Sequence, residues 1–77
     1  MPRAKKKTPA EELGERIRER REALGLSQVE LATRAHIDIA TLSKLENGRS
    51  GERGPTLSRL YQVATALGCR PSALLGS

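Results

Sequence analysis

The chain has 77 residues, a formal net charge of +5 and a sequence pI near 10.2. A chain of this length forms one domain that buries only roughly 60–65% of its unfolded surface, which leaves no room for a separate ligand-sensing or catalytic domain. A single cysteine with no CxxC pattern excludes a disulfide framework or a zinc site, and neither a membrane-spanning apolar run nor a signal peptide is present, so we expect a cytoplasmic protein.

Residues 1–7 carry most of the net charge. Arg3, Lys5, Lys6 and Lys7 supply four positive charges, and residues 8–77 sum to only +1. With little apolar surface to bury, this segment is predicted to be a disordered basic arm that precedes a folded domain at 8–77. Charge alone allows two interpretations, an arm that binds nucleic acid or a tail that only confers solubility.

The first helix is predicted to begin at Thr8. Thr8 is a good N-cap, Pro9 suits the first helical position, and Glu11 completes a capping box. The helix is expected to run to about Leu24 and to end at Gly25.

The apolar stripe of this helix contains one charged position. Leu13, Ile17, Arg21 and Leu24 recur at steps of four, four and three, so Arg21 is predicted to face the core. Glu46 is likewise a charged residue on the otherwise apolar, buried side of a later helix. Because an unpaired buried charge is strongly destabilising, we predict an ion pair between Arg21 and Glu46. The alternative is that Arg21 extends along its own aliphatic stem to solvent.

Two short helices follow, separated by a brief turn. Ser27 and Glu30 form a second capping box, and the helix that they begin is expected to run to about Ala35. Asp38 is a good N-cap for the next helix, which Asn47 and the following glycine end. Within these helices, Leu31, Ala32, Leu42 and Leu45 are predicted to face inward. Two short helices joined in this way form a helix-turn-helix.

Residues 47–55 have the composition of a loop, and two further helices are predicted after them. Thr56 caps the fourth helix, which ends at Gly68, and Pro71 opens a short fifth helix that contains Leu74 and Leu75. The residues expected on the buried face of the fourth helix are Leu57, Leu60, Val63, Ala64 and Leu67. Cys69 is interpreted as a small apolar residue, and Tyr61 either borders the core or contacts a second subunit.

The chain from about Leu13 to Leu75 resembles the Xre/Cro family of phage-repressor-like helix-turn-helix proteins. The residues that carry the resemblance are Gln28, Leu31, Ala32, Ile37, Leu42, Leu45 and Glu46-Asn47-Gly48. The resemblance implies an all-α, five-helix, lambda-repressor-like DNA-binding domain, and the family also pairs an arginine with a glutamate at the positions of Arg21 and Glu46. One departure is His36, which stands where the family usually has a turn glycine and is therefore expected to adopt positive φ.

The resemblance makes residues 38–47 the recognition helix that enters the DNA major groove. It assigns base contacts to Asp38, Ile39, Ala40 and Lys44, with Ser43 nearby. Lys44 can donate to guanine, Ile39 and Ala40 can pack on thymine methyl groups, and Asp38 can accept from cytosine N4 besides acting as the cap. The alternative is an ordinary solvated helix face.

Phosphate contacts are expected on both sides of this helix. Gln28 begins the second helix, where backbone amides and a side-chain amide can hold a phosphate together, and the matching glutamine does so in the family. The remaining candidates lie on or just beyond the recognition helix and are Thr41, Asn47, Arg49, Ser50 and Arg53. Arg34 and Arg59 are weaker surface candidates.

No arrangement of residues points to catalysis, and no metal or cofactor is expected. The glycine-rich residues 48–54 lack the Gly-Lys-Ser/Thr ending of a phosphate loop. We therefore predict that the protein is not an enzyme but a transcriptional regulator that binds double-stranded DNA at the nucleoid, as a repressor and homodimer on a two-fold operator. The first alternative is an antitoxin or another module that binds a protein partner. RNA binding through the basic arm is a further alternative, although one aromatic residue leaves little for bases to stack on.

Overall fold

A computed structural model describes residues 8–49 and 55–75 of the chain. Over these residues it contains five helices and no strand. In chain order they are α1 (Pro9–Ala23), α2 (Gln28–Ala35), α3 (Ile39–Glu46), α4 (Leu57–Leu67) and α5 (Pro71–Leu75). The predicted all-α, five-helix fold is confirmed, and no described helix is long and apolar enough to cross a membrane.

The four longer helices begin at the residues that the sequence predicts. At each start, a side-chain oxygen of the N-cap accepts a hydrogen bond from the backbone N–H three residues later; these caps are Thr8, Ser27, Asp38 and Thr56. In α1 and α2 the capping box is complete, because Glu11 and Glu30 accept in return from the cap backbone at 2.8 Å each. Since an N-cap contributes about 1 kcal/mol, these polar residues help to define where each helix starts.

The same four helices end in one recurring geometry. A residue with left-handed backbone follows each helix, and the next N–H bonds back to a carbonyl five residues earlier. Glycine takes this position after α1, α3 and α4, whereas His36 takes it after α2 with φ 59° and ψ 39°. The positive φ predicted for His36 is confirmed. The N–H of Ile37 then bonds to the Ala32 carbonyl at 3.0 Å, which closes the turn between α2 and α3.

One fully buried side chain from each helix meets at the centre of the molecule. These residues are Ile17, Leu31, Leu42, Val63 and Leu74, each no more than 1% exposed. Burying a side chain of this kind contributes about 1.5–3 kcal/mol, so the five helices depend on one shared core. Consequently, α3 is held in place by the other helices and not by its own helical propensity.

Two residues assigned to buried stripes are exposed instead. Leu24 is 54% exposed, because the chain reverses at Gly25 and the next residue, Leu26, turns back into the core. Leu57 is 67% exposed, because it is the first residue of α4 and the helix first reaches the core at Leu60. Both predictions were wrong for the same reason: periodicity identifies one side of a helix but not how far that helix extends beyond its neighbours.

The backbones of α1 and the end of α3 approach each other closely at Gly14. A Cβ atom built on Gly14 would lie 2.6 Å from the Glu46 carbonyl oxygen and would also overlap the Leu45 carbonyl. Only glycine therefore allows the two backbones to meet here. This contact brings the middle of α1 against the last turn of the predicted recognition helix.

Candidate nucleic-acid interface

The outer face of α3 is open to solvent along its length. Ile39 is 46% exposed, and Asp38, Ala40, Lys44 and Asn47 are exposed as well. Thr41 and Ser43 are half-buried at the borders of this face. The structure therefore brings the predicted base-contact residues together on one surface that no other described element covers.

Asp38 acts as the cap of α3. Its Oδ1 accepts from the Thr41 backbone N–H at 3.2 Å. Hydrogen bonding from the Thr41 side chain, followed by that from its backbone, lowers the pKa of Asp38 below its usual value of 3.8, because donors stabilise the carboxylate. The cation of Arg59, in the first turn of α4, adds a smaller effect in the same direction. Contact between Asp38 and cytosine stays a prediction.

The end of α3 presents two of the predicted phosphate ligands. Asn47 is exposed, and its Nδ2 donates to Ser43 Oγ at 3.3 Å along the same face. The N–H of Arg49 bonds to the Lys44 carbonyl at 2.8 Å, which holds its backbone beside the helix while its side chain is exposed. Other predicted contacts lie outside the described residues, namely Ser50, Arg53 and the arm cations Arg3, Lys5, Lys6 and Lys7.

Behind this face, a buried ion pair connects α1 to α3 as the sequence predicts. Arg21 Nε donates to Glu46 Oε2 at 2.7 Å and Nη2 donates to Oε1 at 3.2 Å, with side chains 11% and 2% exposed. Arg21 Nη1 also donates to the Leu26 carbonyl at 2.9 Å. The hydrogen bonds to Glu46 raise the pKa of Arg21 above its usual value. Removing one partner of such a pair costs about 3–5 kcal/mol, because the other charge is left buried and unpaired.

Gln28 joins this pair. Its Nε2 donates to Glu46 Oε1 at 2.9 Å, and its side chain is half-buried at the beginning of α2. The carboxylate of Glu46 therefore receives donors from both α1 and α2. The sequence had assigned Gln28 to phosphate alone, and no periodic or capping signal distinguishes a glutamine that also bonds to a buried carboxylate.

Sequence reasoning also left out Arg18. Together with Glu11, Glu15, Glu46 and Asn47, it lines a shallow depression of about 200 Å³ between α1 and the end of α3. The spacing of Glu11, Glu15 and Arg18 by four and three places them on one face of α1, and this signal could have identified the group. Carboxylates of α1 therefore lie near Asn47 at this end of α3.

The two weaker cation candidates lie on different parts of the surface. Arg34 is exposed near the end of α2, whereas Arg59 is half-buried in the first turn of α4, near Asp38. Neither arginine lies on α3, the helix that carries Lys44. A contact between either arginine and DNA stays a prediction.

Comparison with known proteins yields a family and several relatives. Residues 17–74 match the family described as helix-turn-helix. The immunity repressor protein of Bacillus phage phi105 is 39% identical over 64 residues, which are 83% of this chain and 42% of that protein. The chain thus spans less than half the length of this curated relative.

Two solved structures share both fold and sequence with the chain. The restriction-modification controller protein C.AhdI from Aeromonas hydrophila is 34% identical, with a TM-score of 0.78 over 84% of this chain and 94% of that one. The DNA-binding domain of the P22 c2 repressor is 33% identical, with a TM-score of 0.73 over 82% and 79% of the two chains. The lambda-repressor-like fold and the Xre/Cro resemblance are confirmed, and the chain belongs to the helix-turn-helix family of DNA-binding transcriptional regulators.

Proposed function

We propose that the protein is a sequence-specific transcriptional repressor that binds a two-fold operator in the cytoplasm, at the nucleoid, as a homodimer. The observation that carries this proposal is the outer face of α3, where Lys44 and Ile39 are exposed on a helix whose opposite side is fully buried. A major groove accepts one α-helix, and these side chains can read guanine and thymine edges. The phage immunity repressor among its relatives supports repression as the outcome.

The proposed interface contains two groups of residues, one that contacts base edges and one that contacts backbone phosphates. The proposed base contacts are Asp38, Ile39, Ala40, Ser43 and Lys44, and the proposed phosphate contacts are Gln28, Thr41, Asn47, Arg49, Ser50 and Arg53. Phosphate contacts set the register of the protein on the duplex, and base contacts select the sequence. Because one helix with few such side chains discriminates weakly, a second subunit on a second half-site is needed for useful specificity.

The surface of α4 supports the homodimer. Leu57 and Tyr61 lie one helical turn apart, and they are 67% and 54% exposed. Exposed apolar neighbours of this kind suit contact with another protein surface. A two-fold operator requires a second copy of the chain, which we propose covers this surface.

That the protein lacks catalytic activity stays a prediction.

Selection of bound sequences from a random duplex library tests the proposal. We expect an enriched inverted repeat whose half-sites are about one helical turn, roughly 10 base pairs, apart. The Lys44→Ala variant, selected in parallel, should lose the preference at one position in each half-site. An enriched single site without symmetry would contradict the homodimer, and no enrichment at all would contradict sequence-specific binding.

A further inference from the structure

We propose that Glu46 is a positioning residue for DNA binding, because it holds the amide of Gln28 with one N–H free to donate to a backbone phosphate. The inference rests on the proposed function, since it gives a mechanism to one phosphate contact. It assigns a second task to a carboxylate that would otherwise serve only the fold. It also connects that contact directly to the recognition helix.

The hydrogen bonds around Glu46 determine which way the Gln28 amide faces. Glu46 accepts from Arg21 Nε at 2.7 Å, from Arg21 Nη2 at 3.2 Å and from Gln28 Nε2 at 2.9 Å. A carboxylate paired with arginine is ionised and can only accept hydrogen bonds. The amide of Gln28 must therefore present its nitrogen to Glu46, since its oxygen would be repelled there.

One hydrogen of the Gln28 amide nitrogen remains for a ligand. A glutamine amide carries two N–H groups, and the bond to Glu46 uses one of them. Gln28 is also the first residue of α2, at the positive end of the helix dipole. In a helix-turn-helix the first of the two helices crosses the DNA backbone, so its first residue lies beside a phosphate. The second N–H of Nε2 can thus bridge from Glu46 to that phosphate.

The ion pair makes this arrangement compatible with DNA. An unpaired carboxylate one hydrogen bond away would repel a phosphate, but Arg21 supplies the compensating positive charge to Glu46. A flexible glutamine would also lose rotamer freedom when it binds, whereas Gln28 is held by Glu46 before the DNA arrives. Because Glu46 is the last residue of α3, the same carboxylate keeps this phosphate contact in register with the recognition helix.

A double-mutant cycle on a 20-base-pair mixed-sequence duplex tests the proposal. The four proteins are the wild type, Gln28→Ala, the apolar pair Arg21→Met with Glu46→Leu, and the triple variant. Replacing both charges leaves neither one stranded in the core. By fluorescence anisotropy, Gln28→Ala should weaken binding about tenfold or more in the wild type, as expected for one hydrogen bond to a charged group. In the apolar-pair background the same substitution should cost several times less, because Gln28 is no longer held and must lose rotamer freedom when it binds.

Each remaining outcome has one meaning. Equal losses in both backgrounds, or no loss in the wild type, would overturn the positioning role while leaving DNA binding intact. A wild type without affinity for any duplex would instead contradict the proposed function itself. Gln62→Ala is the matched control, because it removes the other glutamine of the chain, on α4, and it should leave affinity unchanged in both backgrounds.

A second measurement needs no change to the ion pair. In the free protein, NMR of the Gln28 side-chain amide should show one hydrogen protected from exchange with solvent and the other exchanging freely. Addition of the duplex should protect the second hydrogen also. If the second hydrogen stays unprotected in the complex, or if binding removes protection from the first, Nε2 does not bridge Glu46 and phosphate. This test uses only the wild-type protein and therefore holds even if the apolar-pair variant fails to fold.

Discussion

Residues two positions apart in α3 lie on opposite faces of the helix and differ in exposure. Lys44 is exposed on the outer face, whereas Glu46, two residues later, is 5% exposed on the inner face. A step of two residues turns a helix by about 200°, so alternation of this kind follows from helix geometry. The outer residues are accessible because the inner residues carry the packing.

Lys44→Ala should weaken binding to the preferred operator by roughly 1–3 kcal/mol and relax the preference at one base pair per half-site. Binding to mixed-sequence DNA should change much less, because base reading carries little weight there. Titration of both duplexes by fluorescence anisotropy measures the difference. Arg20→Ala, which removes an exposed cation from α1, is the control and should alter neither titration. A uniform loss on both duplexes would make Lys44 a phosphate contact.

Asp38 and Glu30 should make stability fall in acid. Hydrogen bonds from Thr41 lower the pKa of Asp38 below 3.8, and those from Ser27 lower the pKa of Glu30 below 4.5. A pKa that is lower in the folded state contributes stability above the unfolded value, and this contribution is lost as pH falls through the folded value. Urea unfolding between pH 6 and pH 2 should therefore show a decline that begins below about pH 4.5.

Asp38→Asn separates capping from charge in the same experiment. Asparagine caps a helix about as well as aspartate but does not titrate in acid, so the variant should lose less stability between pH 5 and pH 2 than the wild type. An equal loss in the two proteins would contradict the assignment to Asp38.

Among the helices, the contact between α1 and α3 determines how the proposed recognition helix is held. Gly14 lets the backbones meet, and Arg21, two turns further along α1, bonds to Glu46. One helix thus supports the last turn of α3 by close packing and by charge. The orientation of the outer face follows from this support.

Gly14→Ala should destabilise the fold although alanine favours helices. Alanine gains about 1 kcal/mol of helix propensity over glycine. The added methyl group would, however, overlap the carbonyl groups of Leu45 and Glu46, and backbone cannot yield as a side chain can. We expect a net loss of roughly 1–3 kcal/mol in chemical unfolding. Glu19→Ala, on the exposed side of α1, should change stability by less than about 0.5 kcal/mol, and a stabilised Gly14→Ala would refute the tight contact.

In the molecule as a whole, the start of α1 lies beside the end of α3, the proposed recognition helix. Glu11 accepts from the Thr8 backbone N–H at 2.8 Å, and a Cβ atom on Gly48 would lie 2.7 Å from Glu11 Cγ. The first turn of α1 therefore lies against Gly48, which stands between Asn47 and Arg49 in the chain. We propose that residues 1–7, whose structure lies outside the described residues, supply positive charge to the DNA backbone from this point.

Deleting residues 1–7 should reduce the salt dependence of DNA binding. If the four cations of this segment each displace a counterion, the slope of log affinity against log salt should fall by up to about 3–4 on deletion. The melting temperature should barely move, since the core draws on residues from Leu13 onward. A variant with these cations replaced by serine separates charge from length and should behave like the deletion. An unchanged slope in both would make the segment a solubilising tail.

Local sequence patterns are enough to locate the starts and ends of the four longer helices. In the four longer helices, the Ser, Thr and Asp caps accept from amides three residues later, and the residue after each left-handed residue bonds to a carbonyl five residues earlier. These signals are therefore local in the sequence. The ion pair was also predictable, because two opposite charges on apolar stripes need one another. The positive φ of His36 followed from its place in the turn, although only the resemblance supplied that place.

Contacts between helices, in contrast, depend on three-dimensional packing and are absent from local patterns. The exposure of Leu24 and Leu57 depends on how far α1 and α4 extend past their neighbours, which periodicity does not contain. Likewise, the bond from Gln28 to Glu46 joins residues 18 positions apart on different helices. Local patterns specify which side of a helix is apolar, but distances between helices follow from packing the entire core at once. The contacts that α1 and Gln28 make with the end of α3 therefore follow from the three-dimensional structure and not from local sequence patterns.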